Sequence, residues 1–137
     1  AGVAGRWGKV GYGPWVGVAR QAGLAKSGAE KVGEREDDGE GIDLRWIGQM
    51  DWQPMVDSVK KTNRLLVVGE GWPTYGVSAE IAAGIQLRAF DYLDGPVERI
   101  GGAEVPMPYT QQLETLAIPS TDAIILKALE TVGKGRR

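Results

Sequence analysis

The clearest hydrophobic pattern in the chain is the run of four apolar residues at 65–68, which a glycine-rich turn and a helical pattern follow. An uninterrupted apolar run predicts a strand that is covered on both faces, because a strand with one exposed face alternates apolar and polar residues. Gly69 and Gly71 let the chain leave this strand sharply, and Pro73 prevents its continuation. We therefore predict a strand at the centre of a sheet. In open α/β sheets the end of such a strand is where ligands and partners are usually met.

Helical spacing of apolar residues predicts three helices in the second part of the chain, over residues 52–62, from 77 to about 93, and over 121–132. Asp51 is placed to cap the first helix, and Asn63 is placed to stop it. The second helix should turn an apolar face toward the sheet. The residues of this face are Val77, Ile81, Ile85, Ala89 and Phe90.

Short strands are predicted at residues 42–47 and 97–100, on either side of these helices. Together with residues 65–68 they would form two βαβ units of a single sheet. Residues 103–109 should be extended, because two prolines in this segment exclude a helix.

The first forty residues give the weakest pattern, since glycines interrupt every apolar run. Residues 1–13 predict an irregular or edge strand. Residues 15–32 have helical spacing after Pro14 and predict a helix that needs packing to hold it. The acidic run at 34–40 fits either a cation or basic-partner site or a solvated loop. The loop is favoured because nothing nearby completes a coordination shell.

The amino-acid composition excludes several kinds of functional site. The 137 residues suit one domain and include no cysteine and no histidine, which excludes disulfides, thiol nucleophiles, the usual zinc sites and a Ser-His-Asp triad. A net charge of −2 provides no general field for nucleic acid or anionic membrane. No apolar run approaches the roughly 20 residues of a membrane span, and the N-terminal segment lacks the hydrophobic region of a secretory signal. We therefore expect a soluble intracellular protein.

Candidate chemistry is sparse. Neither G-x-G-x-x-G nor a P-loop occurs. Glu70 at the strand end has the chemistry of an acid or base, although a lone carboxylate more often accepts hydrogen bonds that organise a turn. The helix beginning after Gly76 is compatible with an anion at its N-terminus. Trp72 and Tyr75 are compatible both with stacking on a ligand and with packing at a subunit interface.

Several motifs in register resemble the C-terminal domain of the beta subunit of the thiamine-diphosphate-dependent first component of 2-oxo acid dehydrogenase complexes, and the pyruvate dehydrogenase kind is the most similar. The matching segments are IDLRWIGQMDW at 42–52, SVKKTNRLLVVGEGWP at 58–73, GVSAEIAAGI at 76–85, AFDYLDGPVERI at 89–100, AEVPMPY at 103–109 and LAIPSTDAIILKAL at 116–129. Their order and spacing cover about two thirds of the chain, so the match is specific.

The resemblance implies a three-layer α/β/α domain with a mixed, mostly parallel five-stranded sheet, as in the C-terminal domain of transketolase. It divides the chain into a divergent glycine-rich N-terminal part of the domain at 1–41, a core at 42–132 and a basic tail at 133–137. It also implies that thiamine diphosphate and magnesium belong to the complete enzyme. The chain alone would bind no cofactor or metal, contain no catalytic residue and be inactive. The expected location is the mitochondrial matrix or the bacterial cytoplasm.

In the family that the chain resembles, this domain forms the beta–beta contact and docks the peripheral subunit-binding domain of the acyltransferase core. The other expected partners are the dehydrogenase alpha subunit and the beta N-terminal domain. Asp94 matches an acidic residue that receives basic side chains of the docked domain, whereas the sequence alone favours a turn residue there. Glu70, Trp72 and Tyr75 are the further expected contact residues. The function implied is that of a non-catalytic assembly and docking domain.

Two departures from the family leave alternatives open. The chain continues beyond Lys134 with Gly135, Arg136 and Arg137, and like charges there would oppose a basic partner. The glycine-rich first forty residues also differ from the apolar opening strand of the family. The alternative is a diverged, non-catalytic structural subunit of another large assembly. A third interpretation is a small-molecule binder that uses residues 70–76.

Overall fold

The computed structural model of the chain describes residues 4–7, 14–18, 40–44 and 47–133. The strands are β1 (Ala4–Trp7), β2 (Pro14–Val18), β3 (Glu40–Leu44), β4 (Leu66–Val68) and β5 (Glu98–Ile100). The helices are α1 (Trp52–Thr62), α2 (Val77–Ala89) with a 3-10 turn at Phe90–Tyr92, α3 (Gln111–Ala117) and α4 (Thr121–Gly133). Within the described residues, no helix is both long enough and apolar enough to cross a membrane.

The strands form one mixed sheet in the order β1-β3-β2-β4-β5. β1 lies at one edge and pairs antiparallel with β3. The pairs β3–β2, β2–β4 and β4–β5 are parallel, with Val16 opposite Val67 and Val67 opposite Arg99. The units β4-α2-β5 and β3-α1-β4 therefore both connect parallel strands, but only β4 and β5 are direct neighbours.

The prediction of a helix from residue 15 is wrong at its beginning, because Pro14–Val18 form β2. This strand lies between β3 and β4 and pairs with both, so β2, and not β4, occupies the middle of the sheet. Pairing on both sides outweighs the weak helical spacing, and a proline is tolerated as the first residue of a strand. The remainder of the predicted helix lies outside the described residues.

The last residue of the acidic run does not lie in a solvated loop, although the sequence predicted one. Glu40 begins β3 and is only 6% exposed, and the Ser58 hydroxyl of α1 donates a hydrogen bond of 2.5 Å to its carboxylate. Residues 34–39 lie outside the described part of the chain. At the other end, β3 stops at Leu44, and Ile47 lies in an exposed turn, so the strand predicted at 42–47 is displaced toward the N-terminus.

Helix α1 has the predicted bounds because both ends are determined locally. The Asp51 side chain accepts a hydrogen bond of 3.3 Å from the Gln53 N–H. Asn63 is left-handed, with φ of 61°, and its N–H donates to the Val59 carbonyl at 2.8 Å. An N-cap carboxylate and a left-handed asparagine satisfy backbone groups that a helix leaves unpaired at its ends.

Helix α2 ends earlier than predicted, and its predicted apolar face is wrong at both ends. Ile81, Ile85 and Ala89 are buried, but Val77 and Phe90 are 37% and 63% exposed. Val77 follows directly on an exposed turn. At Ala89 the backbone leaves the helical conformation, with φ of −141°, so Phe90 no longer follows the helical spacing.

The core consists of two hydrophobic clusters, one on each face of β4. Leu65 and Val67 belong to the first cluster, together with side chains from β3, α1 and α2. Leu66 and Val68 belong to the second, together with Ile124, Ile125 and Ala128 of α4. Alternate residues of a strand point to opposite faces of a sheet, so helices cover both faces. The α/β class predicted from the sequence is therefore confirmed.

Candidate interaction site

The four predicted contact residues lie at two different edges of the sheet. The parallel strands β2, β3, β4 and β5 begin at one edge, the amino edge, and end at the opposite carboxyl edge. Glu70, Trp72 and Tyr75 follow the end of β4, and Asp94 precedes β5. The structure therefore brings the first three residues together and separates Asp94 from them.

At the carboxyl edge, the turns that follow β4 and β5 pack backbone against backbone. The Gly69 N–H donates to the Ile100 carbonyl at 3.0 Å, and the Gly102 N–H donates to the Gly71 carbonyl at 3.1 Å. A side chain at Gly102 would place its Cβ 2.4 Å from the Glu70 carbonyl oxygen. Only glycine permits this approach, so the two turns form a fixed frame.

Three further hydrogen bonds fix the segment after β5 and the side chain of Arg99 to the turn that carries Trp72. The Trp72 indole N–H donates to the Val105 carbonyl at 3.3 Å, and the Thr74 N–H donates to the Glu104 carboxylate at 3.1 Å. The Arg99 guanidinium donates to the Pro73 carbonyl at 2.7 Å. The two segments therefore present a common outer surface.

We call this the carboxyl-edge surface, and it consists of the exposed apolar side chains of Trp72, Tyr75, Val105, Met107 and Tyr109. Trp72 is 51% exposed, and Tyr75 and Tyr109 are fully exposed. Tyr75 also has a positive φ of 57°, which is uncommon for a bulky residue. Exposed aromatic and methionine side chains on two joined segments are typical of protein interfaces.

The sequence prediction did not include Val105, Met107 and Tyr109 among the candidate contact residues. The signal was available, because these three residues alternate with Pro106 and Pro108 in an extended segment. Prolines lack the N–H needed to pair within a sheet. An extended segment that contains two prolines therefore stays outside the sheet, where its apolar side chains can be exposed.

Glu70 is part of the frame at the carboxyl edge. Glu70 is half-buried, and its backbone carbonyl packs against Gly102. Across the described ranges, no three acidic, histidine or cysteine side chains come together in a way that would hold a metal ion. A cavity of about 420 Å³ lies between α3 and α4, and none of the four predicted contact residues lines it.

Asp94 lies in an exposed turn at the amino edge, and basic side chains lie close to this turn. The Asp94 N–H donates to the Asn63 carbonyl at 2.9 Å, which fixes the turn against the end of α1. The Lys60 ammonium lies 5.2 Å from the centre of the Tyr92 ring. The Arg64 guanidinium lies 3.3 Å from the position that a Cβ on Gly95 would occupy. These cations make the surroundings of Asp94 less favourable for a basic partner.

Comparison with known proteins defines the class. Residues 10–124 match the family described as "Transketolase, C-terminal domain". This match covers most of the chain, and the chain belongs to that family.

The most informative relatives are beta subunits of pyruvate dehydrogenase. The chain is 49% identical over 105 residues to "Pyruvate dehydrogenase E1 component subunit beta" of Rickettsia conorii, which covers 77% of this chain and 32% of the relative. It is 47% identical over 107 residues to "Pyruvate dehydrogenase E1 component subunit beta-1, mitochondrial" of Arabidopsis thaliana, covering 78% of this chain and 30% of that protein. The chain thus spans about a third of the length of these relatives. Its similarity to beta subunits of pyruvate dehydrogenase agrees with the resemblance that the motifs indicated.

A solved structure has the same fold. The protein described as "Split gene transketolase, inactive beta4 tetramer" superimposes with a TM-score of 0.79 at 13% sequence identity, and the match covers 98% of this chain and 42% of that one. This similarity establishes a transketolase-like α/β fold.

Proposed function

We propose that this chain acts as the C-terminal assembly and docking domain of a pyruvate dehydrogenase E1 beta subunit and has no catalytic activity on its own. The observation that carries the proposal is the carboxyl-edge surface, where aromatic and aliphatic side chains are exposed on a frame of backbone hydrogen bonds. Such a surface loses unfavourable contact with water when a partner covers it. The similarity to about a third of each beta subunit indicates where that partner would come from.

The proposed partners are the dehydrogenase alpha subunit, the beta N-terminal domain and a second copy of this domain. Glu70, Trp72 and Tyr75 would be contact residues in this assembly, with Val105, Met107 and Tyr109 as additional contacts. Thiamine diphosphate and magnesium would be held by the alpha subunit and the beta N-terminal domain. The proposed location is the mitochondrial matrix or the bacterial cytoplasm, in keeping with the bacterial and mitochondrial relatives.

We also propose that the chain forms one domain of the three-layer α/β/α type with a mixed, mostly parallel five-stranded sheet. Residues 1–41 would contribute to this sheet, residues 42–132 would form its core, and residues 133–137 would be a basic tail. The pairing of β1 and β2 with β3 supports the inclusion of the N-terminal part.

The proposal is tested by reconstitution. The chain is mixed with the alpha subunit and the beta N-terminal domain of the Rickettsia conorii enzyme, and the products are measured by size-exclusion chromatography with light scattering. We expect a stable complex with the chain and no complex with its Met107→Ser variant. Leu126→Ser is the matched control, because Leu126 is exposed to a similar extent, 64% against 58%, but lies on α4. A chain that remains monomeric in every mixture would overturn the proposal.

A second candidate, a structural subunit of another large assembly, is favoured by one observation. Lys60 and Arg64 lie near the turn at which the family would receive a basic domain. If Asp94 nevertheless docks the acyltransferase subunit-binding domain, Asp94→Ala should weaken that binding measurably by calorimetry at low salt. The second candidate would be favoured by two results together. The chain would not bind that domain at all, and it would be recovered in a stoichiometric complex that has no alpha subunit.

A further inference from the structure

We infer that the carboxyl-edge surface binds a segment of a partner polypeptide in which basic residues alternate with apolar ones. The inference rests on the proposed assembly role, and it specifies the chemistry of the partner and the edge at which it binds. It differs from docking at Asp94, which lies at the opposite edge of the sheet.

The first support is the aromatic character of the surface. Trp72, Tyr75 and Tyr109 expose half or more of their side chains, and they lie on two segments joined by the hydrogen bond from the Trp72 indole to Val105. Aromatic faces attract arginine and lysine through their quadrupole, and they also provide apolar contact area. Met107, which is 58% exposed on the same segment as Tyr109, adds an adaptable apolar side chain.

The second support is the charge of the surface. Glu104 is the carboxylate on the segment after β5, and Arg99 is the one basic side chain that the described residues bring to the surface. The Arg99 guanidinium is directed to the Pro73 carbonyl, so part of its donor capacity is used within the chain. A carboxylate accepts several hydrogen bonds, and the bond from the Thr74 N–H uses a single acceptor site on Glu104. The remaining acceptor sites of Glu104 are therefore available to a cationic partner.

The third support is the conformation of Tyr75. Its φ of 57° is unfavourable for a bulky side chain, and its ring is fully exposed and gains no packing within the chain. A strained residue that presents an aromatic ring to solvent is typical of binding sites. We therefore assign Tyr75 as the main anchor for the partner.

Basic side chains are more numerous at the amino edge. Lys60 and Arg64 lie close to the turn that contains Asp94, and Lys61 is exposed on the same end of α1. A basic segment would meet like charges there, which is unfavourable. Among the described residues, these cations make the amino edge less favourable for such a segment than the carboxyl edge.

The test uses the complete chain, labelled with 15N, and a synthetic peptide in which arginine alternates with leucine. We expect chemical-shift changes at residues 70–76 and 103–109, and an affinity that falls as salt is raised. A peptide in which glutamate replaces arginine should cause no such changes. Equal binding of the glutamate peptide, or changes confined to residues 60–64 and 92–95, would overturn the inference.

Two variants determine which edge of the sheet binds the peptide. Tyr75→Gly removes the ring at a position where glycine accepts the positive φ without strain, so the fold should be retained. We expect it to weaken binding of the arginine peptide at least about tenfold, as is usual for an aromatic anchor. Asp94→Asn is the control at the other edge and should leave binding unchanged.

The outcomes separate this inference from the proposed function. If Asp94→Asn weakens peptide binding as much as Tyr75→Gly does, the basic segment binds at the amino edge and the inference is wrong. If the chain assembles with the alpha subunit and the beta N-terminal domain but the arginine peptide causes no shift changes, the assembly role stands and the inference alone fails.

Discussion

At the scale of single residues, Gly84 determines how closely the first two helices approach. A Cβ at this position would lie 2.1 Å from Cη2 of the Trp52 ring. The Arg88 guanidinium lies 4.2 Å from the centre of that ring, which limits its movement. We expect Gly84→Ala to lower the free energy of unfolding by about 1–3 kcal/mol, because overpacking outweighs the gain of about 1 kcal/mol in helix propensity.

Urea denaturation measures this change, with Gly71→Ala as the control. Nothing lies within 4 Å of a Cβ at Gly71, so its variant should remain within about 0.5 kcal/mol of the parent chain. A Gly84→Ala variant as stable as the parent would show that Trp52 can move aside.

The roles of residues that act locally could be predicted from the sequence, whereas the degree of exposure of surface residues could not. Asp51 and Asn63 were identified because capping depends on a few neighbouring backbone groups. The exposure of Tyr75 depends on how the turns after β4 and β5 pack, and no spacing of residues encodes that packing. The separation of Asp94 from Glu70 was not predicted, although the predicted βαβ unit implies it: Asp94 precedes a parallel strand, and Glu70 follows the neighbouring one.

At the scale of elements, a short ion pair links α4 to β5. The Lys127 ammonium lies 2.9 Å from the Glu98 carboxylate, and the two side chains are 27% and 17% exposed. The hydrogen bond to Glu98 raises the pKa of Lys127 above its ordinary value of 10.5; burial opposes this shift, and the charges of Glu98 and Glu130 add to it. We expect Lys127→Met to cost about 1 kcal/mol at neutral pH.

The pH dependence of this effect has a definite sign. Because the pKa of Lys127 is raised in the folded state, its contribution is fully present below pH 10.5 and is lost as the pH rises through the folded value. The difference in unfolding free energy between the parent chain and Lys127→Met should therefore be constant from about pH 7 to 9 and shrink above 10.5. Lys61→Met, at an exposed position, is the control and should show no such trend. A difference that grows at high pH would contradict this account.

The elements differ in how far the sequence determined them. The bounds of α1 are determined by its own end residues, so they were predicted correctly. β2 was missed because its five residues include a proline and a glycine, and hydrogen bonds from β3 and β4 on both sides are what make it a strand. Those partner strands are distant in the sequence, so they cannot be identified from the residues next to β2.

At the scale of the whole molecule, β4 separates two cores that nevertheless belong to one fold. Ile85 lies in the cluster on the α1 and α2 side, and Ile124 lies in the cluster on the α4 side; both side chains are fully buried. Each Ile→Val substitution should lower the free energy of unfolding by about 0.5–1.5 kcal/mol. Since the two clusters lie on opposite faces of the sheet, the effects in the double variant should add to within about 0.5 kcal/mol.

Urea denaturation of the parent, the two single variants and the double variant completes the cycle. Fluorescence and circular dichroism should report the same midpoint in each case, because the sheet couples both cores in one cooperative transition. Two separate transitions would show that the α4 side unfolds independently. A coupling energy well above about 0.5 kcal/mol would show that the two faces communicate through β4 more strongly than their separate packing predicts.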